Sequence, residues 1–439
     1  MVNPRAEALL ILNNVINKGA FLNDELKRAS NKNIKDIDYN LLANICKGVL
    51  KNKLLLDYII RKNSKLRLKK IHDLILIILE MGVYQIFFTD KIPAYSIVNE
   101  SVKLAKKNGN KGSISFVNGV LRNIVRNKEK IIASGYYIDD LKKNDYSKYL
   151  SIKYSHPQFF VDEILKEKGK EFTEDLLRKN NEEAPFFIRV NTVKTSIAAF
   201  KELLDKNKFS YKENLYSKNC LEILNPENII NSDLFKKGYF YIQDLASIIV
   251  AEIATDKEER EILDLCAAPG GKSINLSLLN REASILACDI SSARLRKMDQ
   301  NIKRLGIKNI SLRENDASKI NKDFIDKFDL VLVDAPCSGL GLYRRKPEIR
   351  YNKDNEDLKN LASLQKQILK NALSYVKVGG NLLYSTCTLS KTENEDVVKS
   401  VLKENDNFEI VKTMDQDFKR FYPNIDNTDG FCICKLKRK

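Results

Sequence analysis

Only two histidines, His72 and His156, occur in 439 residues, and no two cysteines have CxxC spacing. Zinc sites draw on Cys and His in such spacings, so no metal centre is expected. No apolar run reaches the roughly 18 residues that a membrane span needs. The longest, LILIILEMGVYQIFF at 74–88, is interrupted by Glu80 and reads as a core helix. No charged-then-apolar leader opens the chain, and no internal repeat or long disordered tract is visible. The chain's glycine-rich segment fits neither GxGxxG nor GxxxxGK[ST], which counts against dinucleotide binding and NTP hydrolysis. Eight cysteines, two of them placed to act as thiols, argue for a reducing compartment and a cytoplasmic location.

What is present begins with those two thiols. Cys337 lies in LVLVDAPCSG at 330–339 and Cys387 in LLYSTCTLS at 382–390. Each loop follows an apolar, β-branched run of the kind that forms a buried parallel strand. Reacting groups in open α/β sheets gather beyond the carboxyl ends of such strands, so both thiols are expected in one cleft. A lone cysteine is ordinarily a small buried hydrophobe, and Cys46, Cys220 and Cys288 are read that way. Cys432 and Cys434 in GFCICKLK alternate as one face of a final strand. Cys337 and Cys387 differ in having polar, turn-forming neighbours.

A strand, a glycine turn and a helix start are expected in EILDLCAAPGGKS at 261–273. Gly270 and Gly271 permit close backbone approach, and the helix that follows offers free N–H groups. Asp289 ends the next apolar run, ILACD, at a distance suited to ribose hydroxyls. Asp316 in LRENDAS and Asp334 in LVDAPC follow two further strand-like runs. Any one of these acids is ordinarily a cap or turn residue. Their recurrence at successive strand ends indicates a nucleoside-containing cofactor with thiols beside it.

DLCAAPGGK, DAPCSG and STCT together resemble the RNA cytosine-C5 methyltransferases that use S-adenosylmethionine, with IQDLAS at 242–247 and DGF at 429–431 in the same order. The resemblance implies that Cys266, Ala267, Ala268, Pro269, Gly270, Gly271 and Lys272 line the cofactor. It implies that Asp289 holds the ribose, that Asp316 sits beside the adenine, and that Asp334 reaches both cofactor and base. Cys387 would be the nucleophile and Cys337 would assist release, with Asp334 stabilising the adduct. Lys272 or a helix N-terminus would favour the thiolate, since a free thiol with pKa near ~8.5 is mostly protonated at neutral pH. Cys432 stands where the family more often has an aromatic residue after DGF.

Charge divides the chain. Residues 1–150 hold 27 Lys/Arg against 14 Asp/Glu, a net of +13, while the remaining 289 hold 48 against 44, a net of +4. Such concentration suggests a phosphate-binding surface. Apolar spacing there is helical throughout. The order IPAYSIVNESVKLAK then FVNGVLRNI resembles the RNA-binding antitermination factor NusB. The combination resembles the bacterial enzymes that methylate a cytosine of 16S ribosomal RNA.

The expected architecture is multidomain. It comprises an all-α NusB-like RNA-binding domain at 1–139, a helical linker with a small α+β unit at 140–235, and an α/β Rossmann-like methyltransferase domain at 236–439. In the last, a mostly parallel sheet would have strands near 261–265, 284–288, 310–313, 328–333, 380–385, 408–412 and 431–436. A helix at 357–376 would carry the crossover between the two cysteine strands. Arg189 and Asn191 in RVNT would brace the catalytic domain more readily than contact RNA. The implied partner is unassembled or partly assembled 16S rRNA, with no membrane and no metal, and the chain acting as a monomer. The alternatives are the same chemistry on transfer or large-subunit RNA, or a non-catalytic assembly factor.

Overall fold

The computed structural model describes residues 3–32, 35–90 and 92–439. The chain divides into two compact units, residues 1–182 with 343–353, and residues 183–342 with 354–439.

The first unit is helical. Its opening helix, Pro4–Lys18, has proline at its first position, and Asn3 accepts hydrogen bonds from the amides of Arg5 (2.9 Å) and Ala6 (3.1 Å). Gly19 closes it in the left-handed region. Asp36–Asn63, Asp73–Phe88, Ala94–Asn108 and Lys111–Arg126 follow the expected helical spacing. Gly48 lets the Tyr84 ring lie against its helix, since a Cβ there would sit 1.9 Å from the ring.

Glu80, the charge that interrupts the apolar run, is fully buried and meets Lys53 Nζ at 2.6 Å. Lys53 also reaches Asp57 at 2.9 Å. Burial pushes the Glu80 carboxyl up to about 8 against the pull of Lys53.

Helices Tyr146–Tyr154, Gln158–Lys168 and Lys170–Lys179 belong to this same unit. So does the excursion Tyr343–Lys353, far along the chain. Its buried Arg350 donates to the carbonyls of Lys51 (3.1 Å), Tyr154 (3.3 Å), Ser155 (3.3 Å) and Asn180 (3.1 Å). The Tyr343 ring packs edge-on against Phe160 and His156. Nothing in the amino-acid pattern of YRRKPEIRY announces a guest strap.

The second unit opens with four antiparallel strands, β1 (Phe186–Val190), β2 (Tyr211–Glu213), β3 (Cys220–Ile223) and β4 (Phe240–Ile242), in the order β2-β3-β1-β4. Arg189 and Asn191 are braces. Arg189 is buried and pairs with Glu252 at 3.3 Å, and the Asn191 amide donates to the carbonyls of Gly238 and Leu305, each at 2.8 Å.

The larger sheet contains β5 (Glu261–Asp264), β6 (Ser284–Asp289), β7 (Ile310–Glu314), β8 (Phe328–Asp334), β9 (Val376–Thr386), β10 (Phe408–Val411), β11 (Lys419–Phe421) and β12 (Phe431–Arg438). Its order is β10-β12-β9-β8-β5-β6-β7, with β11 paired to β12. Strands β5 to β9 are mutually parallel, whereas β12 runs antiparallel to β9, β10 and β11. Strand β11 was not expected from sequence, being only three residues between charged turns.

Both faces of the sheet are covered. Val331 and Val333 join one core with Leu382 and Tyr384, while Leu330 and Leu332 join the other with Leu383 and Ile433. This is why the strands read as unbroken apolar runs. Cys434 packs in the first of these cores. Helix Asn355–Leu373, capped by a reciprocal Asp354–Asp357 arrangement, carries the crossover from β8 to β9. Asp334 and Ser385 are thereby register partners at the strand ends.

The Lys53–Glu80 pair generates a test. Lys53→Met strands a buried carboxylate and should cost about 3 kcal/mol, in line with other broken buried pairs. Urea unfolding followed by circular dichroism should show that loss. Adding Glu80→Leu should recover most of it.

Candidate active site

The glycine turn forms because Gly270 adopts φ +105°, a conformation that side chains rarely take, and a Cβ there would press on Met298 at 2.7 Å. Helix Gly271–Leu279 starts directly after it. Asp264, at the end of β5, is fully buried and accepts the Ser273 hydroxyl at 2.5 Å. Burial pushes its carboxyl up to about 7.

A cavity of about 440 Å³ opens at the carboxyl ends of the parallel strands. It gathers Cys266, Ala268, Asp289, Asp316, Asp334, Cys337 and Cys387 from loops spread over more than a hundred residues. A second, of about 150 Å³, is lined by Ala267, Pro269, Gly271 and Lys272 and shares Cys266, Ala268 and Asp334 with the first. Gly270 lines neither, acting through the turn.

The Asp289 carboxylate is held by the amides of Ala268 (3.1 Å) and Ser291 (3.0 Å) and by Arg294 (3.3 Å). Asp316 accepts the Ser318 hydroxyl (2.6 Å) and amide (3.1 Å). That hydroxyl first, with Lys319 adding to it, holds the carboxyl below its ordinary range. Ile290, Asn315, Arg294, Leu364 and Ile368 also line the larger cavity and were not singled out from sequence. The available signal for Ile290, which the fold leaves exposed, was an isoleucine directly after the strand-end acid.

Asp334 joins the two cavities. Its Oδ2 receives Lys272 Nζ at 2.6 Å and its Oδ1 the Ser385 hydroxyl at 2.9 Å. The Lys272 ammonium also lies 5.1 Å from the centre of the Phe431 ring. Lys272 is thus committed to Asp334, whereas sequence reasoning looked for it beside a thiol.

The group beside Cys387 is the other cysteine, with Cys337 Sγ 3.2 Å from Cys387 Sγ. Contact with Cys387, then burial, then the charges of Glu393 and Asp334 push the Cys337 thiol well above its ordinary range. A protonated Cys337 can donate a hydrogen bond to the neighbouring sulfur. Burial also raises Cys266, whose neighbours Asp264, Asp334 and Asp289 add to the effect. Cys46, Cys220 and Cys288 are buried and raised by desolvation, the last to about 12. Their surroundings suit packing.

Asp244 of IQDLAS caps helix Leu245–Ala254 and accepts the Thr428 hydroxyl at 2.5 Å, fastening the DGF turn beside the site. Cys432 is buried opposite Thr386 on β9, behind the Cys387 loop. Among the described residues no group of three or more His, Cys, Asp and Glu could hold a metal ion. No described helix is long and apolar enough to cross a membrane.

Known proteins match this chain along its length. A model of the 16S rRNA methyltransferase RsmB/F family matches residues 251–437, the NusB family model matches 2–126, and the RsmF/B-like ferredoxin-like domain matches 156–230. A probable ribosomal RNA small subunit methyltransferase B of Bacillus subtilis is 32% identical, covering 96% of this chain and 95% of its own. The ribosomal RNA small subunit methyltransferase B of Proteus mirabilis is 31% identical over 91% of each chain.

Among solved structures, PH0851 shares the fold, with a TM-score of 0.79, 22% identity and coverage of 100% of this chain and 99% of that one. NSun6 from Pyrococcus horikoshii, solved with SFG, has a TM-score of 0.57 and 26% identity, covering 63% of this chain and 97% of that one. A helical NusB domain, a ferredoxin-like domain and a Rossmann-like methyltransferase domain thus follow one another. With this likeness sustained from end to end, the chain belongs to the 16S rRNA methyltransferase RsmB/F family.

Proposed function

We propose that the protein methylates carbon 5 of a cytosine in small-subunit ribosomal RNA, with S-adenosylmethionine as methyl donor, through a covalent bond between Cys387 and carbon 6. The observation that carries the reading is the pair of sulfurs 3.2 Å apart, on a cavity that also holds the Asp334 carboxylate. The rRNA substrate is taken from the relatives named small subunit methyltransferase B.

The cavity suits an adenosyl cofactor by its chemistry. Asp289, fixed by two amides and Arg294, presents a carboxylate to ribose hydroxyls. Asp316 can accept from an exocyclic amine, and Ile290, Leu364 and Ile368 offer apolar surface to a purine face. Residues 266–272 would hold the methionine end. The cofactor supplies an electrophilic methyl group.

Carbon 5 of cytosine is too weak a nucleophile without help. Addition of the Cys387 thiolate to carbon 6 makes the ring an enamine, whose carbon 5 can accept the methyl group. Asp334, held by Lys272 and Ser385, stabilises the ring nitrogen or amino group of that adduct. Once methylated, carbon 5 must lose its proton. Once the adduct has formed and Cys337 has released its own proton to water, its sulfur takes the carbon-5 proton while the Cys387–carbon 6 bond breaks and its electron pair returns to Cys387 as the thiolate.

RNA binding is assigned to residues 1–139. In that region a groove of about 340 Å³ is lined by Tyr95, Asn99, Arg122 and Arg126 among others. Tyr95 is 73% exposed, and both arginines are exposed and in no ion pair among the described residues.

Three outcomes test the reading. Cys387→Ala should lower methyl transfer at least about 10³-fold, as removal of a nucleophile does, with cofactor binding retained in calorimetry. Near-normal turnover would sink the assignment. Cys337→Ala should instead strand the intermediate, so that enzyme and RNA co-migrate on a denaturing gel when cofactor is present. Adduct from the Cys387 variant and none from Cys337→Ala would reverse the two roles. Arg122→Gln with Arg126→Gln should weaken RNA binding and flatten its salt dependence by about 0.9 log–log unit for each duplex phosphate no longer neutralised. An unchanged slope in a filter-binding titration would place the RNA surface elsewhere.

A further inference from the structure

Two adjacent residues that the mechanism above does not use grip the chain on both sides of each thiol. Glu393 and Asn394 follow the Cys387 loop and are fully buried. The Glu393 carboxylate accepts the Ser338 amide at 2.8 Å and also the Ser338 hydroxyl. Gln365 Nε2 donates both to Glu393 Oε1 (3.1 Å) and to the Pro336 carbonyl (2.9 Å). Pro336 and Ser338 are the two neighbours of Cys337, so this one carboxylate, with its glutamine, fixes the peptide groups flanking that thiol.

Asn394 does the same for Cys387. Its Oδ1 accepts the Thr386 hydroxyl at 2.6 Å, and its Nδ2 donates to the carbonyls of Thr388 (3.1 Å) and Ser390 (2.8 Å). Thr386 and Thr388 are the two neighbours of Cys387. The brackets are joined, since Ser338 Oγ lies 3.1 Å from Thr388 Oγ1 and the Gly341 amide donates to the Cys387 carbonyl at 3.0 Å. The Tyr384 hydroxyl, donating to the Glu393 carbonyl at 2.7 Å, ties the dipeptide to β9.

A buried carboxylate is costly unless its lone pairs are met by donors. No cation pairs with Glu393 among the described residues, and its partners are the Ser338 and Gln365 donors. Packing alone would be served as well by an apolar residue. A carboxylate that spends its acceptors on the backbone beside Cys337 is suited to setting where that sulfur sits.

We propose that Glu393 and Asn394 are positioning residues with separate duties, Glu393 placing Cys337 for the release step and Asn394 placing Cys387 for attack on carbon 6. The assignment rests on the reading given under Proposed function. Because the residues act through different thiols, their loss must fail at different steps. Displacing a reacting group by about 1 Å can cost about 10²-fold, so each step should slow tenfold or more in its own variant.

The test uses the full-length protein with cytosine-containing RNA and with the same RNA carrying 5-fluorocytosine, whose carbon 5 has no proton to lose. Glu393→Gln should form adduct on fluorinated RNA at close to the normal rate, yet accumulate adduct on ordinary RNA as turnover falls. Asn394→Ala should form adduct at least tenfold more slowly on fluorinated RNA and accumulate none on ordinary RNA. Thermal melts accompany both. If Glu393→Gln does not fold, Ser338→Ala removes one donor of the same bracket and should show the same accumulation. If Asn394→Ala does not fold, Thr386→Val serves for the other arm. Equal slowing of both steps by both variants, or lowered melting temperatures with unaltered rates, would overturn the separate duties. Absence of adduct from the unaltered enzyme on fluorinated RNA would instead remove the covalent mechanism itself, and this inference with it.

Discussion

The parallel pairing of β8 with β9 is the constraint on which the site depends. Asp334 and Ser385 are opposite one another at the last rung, and the chain leaves both strands on the same side of the sheet. Two loops fifty residues apart in sequence must then run side by side, and their thiols come within 3.2 Å. The crossover helix Asn355–Leu373 makes the pairing parallel, because a short turn could only return the chain antiparallel. Burial on both faces locks the register, since a one-residue slip would exchange Val331 and Val333 with Leu330 and Leu332.

Proximity alone leaves two thiols beside the Asp334 carboxylate, whose charge is one of those that raise Cys337. Several polar contacts alter that balance. Lys272 neutralises Asp334 rather than either thiol, and it does so at 2.6 Å from a shielded position over Phe431. The negative charge nearest the sulfurs is thereby partly compensated. Cys337, raised by its contact with Cys387 and then by burial, holds its proton and can donate it in a hydrogen bond to the neighbouring sulfur. Under the proposed mechanism a second thiol stands where a histidine commonly activates a cysteine nucleophile, in a chain with only two histidines. One of these, His156, is fully buried in the helical unit with its ring against Tyr343.

Much of this was legible in the residues, for identifiable reasons. Fully buried strands read as unbroken β-branched runs, so the positions of β5, β6, β7, β8 and β9 followed from composition and from the turns that end them. The strand-end acids and both cysteines were visible because polar residues directly after apolar runs stand out. What was hidden depended on tertiary pairing. Lys272 could be placed near the site but not on Asp334, because a lysine side chain can reach in several directions. Ser385, inside STCT, was seen as a turn former and not as the donor to Asp334. The antiparallel strands β10 and β12 were read as part of a mostly parallel sheet, since hydrophobic periodicity carries no strand direction. The strap Tyr343–Lys353 was invisible for a related reason. Its role comes from Arg350 meeting four carbonyls, and carbonyls leave no trace in a sequence.

Glu393 and Asn394 escaped a reading built on strand ends for a related physical reason. They lie in a short helical turn and at the start of helix Glu395–Leu402, where charged and amide residues ordinarily cap and solubilise. Burial reverses that expectation. In water an asparagine that bonds Thr386, Thr388 and Ser390 would gain little over solvent, whereas with all its partners enclosed each missing bond leaves an unsatisfied group. The polar residues around the thiols therefore confer geometry more than net stability. On the proposed reading, a loop that presents a reactive sulfur to a large substrate cannot be fixed by hydrophobic packing on its open side. Hydrogen bonds from beneath, to the residues flanking each cysteine, hold the backbone while both thiols still line the cavity, and that is the arrangement this pair of loops adopts.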